Sequence, residues 1–200
     1  MSQIKLKHSG GNGVIIAAPS SNPAADRTIT LPDLSGNITL PTTNGITQAD
    51  AWVMNSSYDT NGVADITSNL TRHSAGLSGL GNIGSAMTQS SGIFTFPITG
   101  IYLVMSQALF RSEGGARSAA GVQQLISIDS GSNFNISTHS WNNGYINTAY
   151  VNSTAFGMYD VTNTSTFQIK FRTNVTDTMR LFGESDKMNT GFTFVRLGDT

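Results

Sequence analysis

The chain has 200 residues, no cysteine, 12% charged residues and a formal net charge of -1. The missing thiols exclude disulfides and thiolate metal sites. Lys5 and Lys7 are the densest basic pair, which is no phosphate-binding stripe, so nucleic acid is not an expected partner. The longest apolar run, residues 14–18, is far short of a bilayer span, so no membrane partner is expected either.

Residues 1–46 read as an appendage with short β segments. Ile4-Lys5-Leu6-Lys7 alternates, Ser9-Gly10-Gly11-Asn12-Gly13 turns, and Val14-Ile15-Ile16 opens a second apolar strand closed by Pro19. Ile29-Thr30-Leu31-Pro32 then recurs nine residues later as Ile38-Thr39-Leu40-Pro41. Each proline removes a ladder donor, so both copies read as short or edge strands. Ile4, Leu6, Val14, Ile15, Ile16, Ile29, Leu31, Ile38 and Leu40 are too few to make a core alone, which points to docking on a partner surface. The segment has no apolar signal-peptide core, and synthesis in a cytoplasm without secretion is expected.

Residues 47–200 read as a run of short strands separated by Gly, Asn and Ser turns. Strands are predicted at 51–54, 92–97, 101–105, 123–128, 134–137, 154–161, 167–172 and 191–197, several alternating apolar with polar residues. The chain holds 24 Ser, 24 Thr and 17 Asn, with 21 Gly, a β-prone composition. Only 113–125 has helical spacing, and Gly114, Gly115 and Gly121 argue against it. The expected fold class is all-β, an antiparallel jelly-roll sandwich with an extended N-terminal β arm.

Catalytic and metal signatures are weak. His8, His73 and His139 lie in unrelated contexts without metal-site spacing. No G-x-S-x-G string marks a nucleophile elbow. The residues 127–132, Ser-Ile-Asp-Ser-Gly-Ser, resemble a sialidase-type Asp box, read here as a turn whose Asp129 caps backbone amides. Asp177, Glu184 and Asp186 are oxygen donors near one another in sequence and are read as solvated carboxylates rather than a calcium site. Gly10-Gly11-Asn12-Gly13 lacks the Lys-Ser/Thr of a phosphate loop. Seven N-x-S/T sequons, the first at Asn37, are read as chance in so Asn-rich a chain. No enzyme activity and no cofactor are expected.

The string Phe94-x-Phe96-Pro97-x-x-Gly100-x-Tyr102 resembles the strand-turn-strand signature of the complement globular-head and tumour necrosis factor-like jelly rolls. Residues 190–197 resemble that family's last strand, 52–58 its opening strand, and 154–171 its penultimate hairpin with a turn at Asn163-Thr164. Residues 26–33 followed by Ser35-Gly36 resemble the N-terminal segments of bacteriophage virion-surface proteins.

Together these resemblances imply a homotrimeric head on residues 47–200 and a virion-anchoring arm on residues 1–46. Trp52, Phe94, Phe96, Tyr102, Phe110, Phe167, Phe171, Phe192 and Phe194 then fill the sandwich core or line the trimer axis. The expected role is structural, a capsid decoration or cement protein at the virion surface, held by the major capsid protein or another virion protein. A tail or head fibre that binds a host surface glycan or receptor is the alternative, and a lectin-like module the third.

Overall fold

The computed structural model describes residues 3–7, 9–11, 13–17, 45–73, 81–112, 118–144 and 149–200. The chain divides into two compact units, Met1–Pro41 and Thr42–Thr200. In the first, β1 (Gln3–Lys7) and β2 (Gly13–Ala17) pair antiparallel, with Ile4 opposite Ile16 and Leu6 opposite Val14. Ile15 also lies on β2, whereas Ile29, Leu31, Ile38 and Leu40 lie outside the described residues.

The second unit has strands and no helix among its described residues. In chain order they are β3 (Ala49–Met54), β4 (Ser56–Thr60), β5 (Val63–Asp65), β6 (Leu70–Arg72), β7 (Thr88–Ser90), β8 (Ile93–Thr95), β9 (Gly100–Ser112) and β10 (Ser118–Ser127). Then follow β11 (Asn135–Gly144), β12 (Tyr150–Val161), β13 (Gln168–Val175), β14 (Met179–Glu184) and β15 (Gly191–Gly198).

One sheet runs β11-β10-β13-β8-β7, with β5 also on β13; the other runs β4-β14-β9-β15-β3-β6. Strand β12 pairs along the full length of β9, from Tyr150 opposite Arg111 to Val161 opposite Gly100. The described pairings in both sheets are antiparallel. Burial alternates strictly along β9, β12 and β13, as a period of two demands when one face of each sheet packs inward.

The core is aromatic. Trp52, Phe94, Phe96, Tyr102, Phe110, Phe167, Phe171, Phe192 and Phe194 are all buried within the single chain. Phe94 sits at the centre, with ring centroids 5.2–5.8 Å from Trp52, Phe171, Phe192 and Phe194. The pairs with Trp52, Phe171 and Phe192 are edge-to-face, a geometry that adds to what area burial contributes.

Several sequence expectations change, and the strands read at 101–105, 123–128 and 134–137 are longer, spanning Gly100–Ser112, Ser118–Ser127 and Asn135–Gly144. Residues 154–171 are not a hairpin: β12 belongs to one sheet and β13 to the other, so the turn at Asn163 carries the chain across the sandwich. The opening segment 52–58 is not one strand: it breaks at Asn55, after which β4 pairs with β14 rather than with β15. The strand read at 154–161 begins four residues earlier, at Tyr150.

Candidate functional site: an apolar outer sheet face

Strand β12 carries large apolar side chains on both sides over residues 155–159. Its inward positions Val151, Ala155, Tyr159 and Val161 enter the core, while Phe156 and Met158 point outward at 59% and 67% exposure. Register carries this character across the sheet. Phe156 stands opposite Met105, and Met105 opposite Thr193. Met158 stands opposite Leu103, and Leu103 opposite Val195. Leu197 continues the face, also exposed. A sheet with one solvated face should present polar residues there; β12, β9 and β15 instead present contiguous Phe, Met, Leu and Val.

A depression of about 210 Å³ interrupts this face, with Met105, Gln107, Phe156, Met188 and Thr193 among its walls. Gln107 Nε2 donates to Met188 O at 2.5 Å and so fixes the loop before β15 against β9. Among the described residues no charged side chain lines the depression. At the far end the Tyr150 and Phe182 rings lie 5.5 Å apart, with the Arg111 guanidinium over both.

Several charges elsewhere are locally paired. Buried Asp50 accepts from Arg72 Nε at 2.9 Å and from the Met87 amide at 2.8 Å, and Arg72 stacks on Trp52. Desolvation raises the Asp65 carboxyl, but hydrogen bonds and charge from Arg172 and Lys170 outweigh it, leaving its pKa below the ordinary value. Lys187 lies between Glu184, 2.7 Å away, and Asp186, and these partners raise its pKa.

The residues 127–132 form the turn their sequence implies. Asp129 Oδ1 accepts from Ser127 Oγ at 2.7 Å and from the Asn133 amide at 2.9 Å, and Oδ2 accepts from Asn133 Nδ2. The Asn133 and Ser127 side chains lower its pKa to about 2. His73 is buried and His139 is exposed on β11; His8 is outside the described residues. Among the described residues no three His, Asp or Glu side chains gather to hold a metal.

The aromatics singled out from sequence therefore make the core, and the outer-face residues Leu103, Met105, Phe156, Met158, Val195 and Leu197 were not among them. A signal was available in Ala155-Phe156-Gly157-Met158-Tyr159, where large apolar residues occupy both parities of one strand.

No protein-family model and no curated protein matches the chain. Solved structures do. Eiger TNF from S. frugiperda aligns at 10% identity over 78% of this chain and 96% of its own, with a TM-score of 0.60. Murine APRIL at pH 5.0 aligns at 17% identity over 75% and 98%, with a TM-score of 0.52. A second murine APRIL structure, at pH 8.5, gives 16% identity and a TM-score of 0.50. The class of fold is thus a TNF-like jelly roll.

Proposed function

We propose that the chain is a non-enzymatic structural protein that self-associates as a homotrimer and decorates the surface of a phage capsid, attached through residues 1–46. The outer face of β12, β9 and β15 carries the self-association. Burying a Phe or Met there contributes roughly 1.5–3 kcal/mol per side chain, and exposed apolar patches of this kind mark interaction surfaces. Closed cyclic symmetry lets three heads cover the face in one ring and brings three arms to one site. Three arms then bind more tightly than one. The virion assignment rests on the resemblance of residues 26–36 to phage virion proteins.

Sedimentation equilibrium of the full chain should give three times 21.2 kDa. Met158→Glu should give a folded monomer, and a wild-type monomer at micromolar concentration would refute the trimer. Virions lacking the protein, mixed with purified chain, should bind it on the capsid and should not bind a chain lacking residues 1–46. Binding confined to the tail would replace the decoration reading with the fibre.

A further inference from the structure

We infer that the outer face of the six-stranded sheet carries a binding cleft for a neutral saccharide. The cleft is about 580 Å³ and lies where the β7–β8 hairpin and the 128–133 turn rise on either side of β13. Such a volume is within the range of small-molecule sites. Its floor follows from register. Thr95 stands opposite both Thr88 and Gln168, and Ile93 opposite Ser90.

The lining favours a sugar over other ligands. Among the described residues no charged one lines the cleft. The nearby Lys170 ammonium is engaged by Asp65 at 2.8 Å and lies over the Phe134 ring. An ionic ligand would therefore find no counter-charge. The side chains of Thr88, Ser90, Thr95 and Gln168 make no hydrogen bond among the described residues. They leave hydroxyls that donate and accept, and one amide that does both, which is the complement of a polyhydroxylated ring.

Two rim residues carry backbone strain. Ser91 and Ser130 have φ of 49° and 60°, in the left-handed region. With Gly92 at φ 80°, Ser91 completes a two-residue hairpin turn in which Asn or Gly is the favoured first residue. Both positions bear hydroxyls where less strained residues fit, and strain of this sort concentrates at functional sites. The 130 rim is held in place: the Ser130 amide donates to Thr166 O, its hydroxyl to Ser165 O, and Asp129 bonds back to Asn133. A cleft fixed before binding loses less entropy on binding.

The test uses the full chain and saturation-transfer NMR against neutral oligosaccharides of glucose, galactose, mannose and N-acetylglucosamine, with sialylated and uronate oligosaccharides in parallel. At least one neutral sugar should bind. Thr88→Val with Thr95→Val removes two floor hydroxyls and keeps β-branched shape. It should weaken that sugar roughly tenfold or more at about one kcal/mol per lost hydrogen bond, with an unchanged melting temperature. Thr154→Val, on the other sheet, should bind as wild type. Binding by no sugar at millimolar concentration, binding only of acidic sugars, or full binding by the double variant would each overturn the assignment. Self-association uses the opposite sheet, so a monomeric chain would leave the cleft intact and remove only the trimer.

Discussion

The Tyr159 hydroxyl on β12 donates to Gln124 Oε1 on β10 at 2.7 Å, a hydrogen bond that spans the two sheets. Gln124 Nε2 returns the connection by donating to Ala155 O at 3.0 Å, Ser106 Oγ at 3.1 Å and Val104 O at 3.2 Å. Gln124 is fully buried and Tyr159 nearly so. Tyr159→Phe should cost about 1–3 kcal/mol in urea unfolding, because it leaves a buried acceptor unpaired. In a Gln124→Leu background the same change should cost much less, since the partner is already gone. Equal costs in the two backgrounds would show that the pair is not coupled. Gly157→Ala should also destabilise, since its new methyl would overlap the Tyr159 hydroxyl.

Stability should fall in alkali. Desolvation raises the pKa of Tyr58, Tyr102 and Tyr159, against lowering by Arg196 and Ile98 at Tyr102 and by Ser137 and Thr138 at Tyr159. The unfolded chain then ionises near 10.0, the ordinary tyrosine value, while the folded chain still holds its protons. The contribution is fully present below that pH and is lost as pH rises through the raised values. The urea midpoint should hold to about pH 9 and drop by about pH 11. Tyr159→Phe should flatten part of the drop.

The 128–133 turn should respond on the acid side. Asp129 titrates at about 2, below its usual 3.8, because Asn133 and Ser127 hydrogen-bond its carboxylate. A depressed pKa gives a contribution present above 3.8 and lost as pH falls through about 2. Hydrogen–deuterium exchange at the Asn133 amide, which donates to Asp129, should lose its protection over that window. Asp129→Asn should expose the same amide at neutral pH. Unchanged protection in both cases would mean that the carboxylate does not hold the turn.

Much of the sandwich was legible because burial on one face writes a period of two into the chain. The inward residues of β12 and β13 can be read from the sequence, whereas residues 101–105 are a continuous apolar run that marks a strand and not which side faces inward. What could not be read is which sheet a strand joins. The turn at Asn163 has hairpin chemistry, yet Phe167 N donates to Asn163 O and leads β13 away to Phe94 and Gln124. Local turn signals carry no information about a partner fifty residues off. Strands β5, β6 and β7 have three residues each, too few to show a period. The apolar outer face of β12, β9 and β15 is less legible in the sequence than the core, whose aromatic content is concentrated at residues such as Phe94 and Phe192. Phe156 and Met158 are the two large apolar residues on the outward parity of β12, between Thr154 and Asp160, and register sets them beside Met105 and Leu103.

A fragment of residues 42–200 should fold by itself. The second unit holds a hydrophobic cluster of its own that runs from Trp52 to Phe194. Phe171 on β13 and Phe192 on β15 stack across the two sheets with centroids 3.6 Å apart and planes 5° from parallel, so the two sheets meet in the interior of this unit. A domain with its own core can fold independently. The fragment should therefore melt cooperatively, keep near-ultraviolet circular dichroism and retain the full chain's response to Met158→Glu. Phe94→Ala within it should cost about 3–5 kcal/mol, since the ring touches four other aromatics and its loss leaves a cavity. A fragment that binds a hydrophobic dye and lacks near-ultraviolet signal would be a molten state, and would place part of the core's support in residues 1–41.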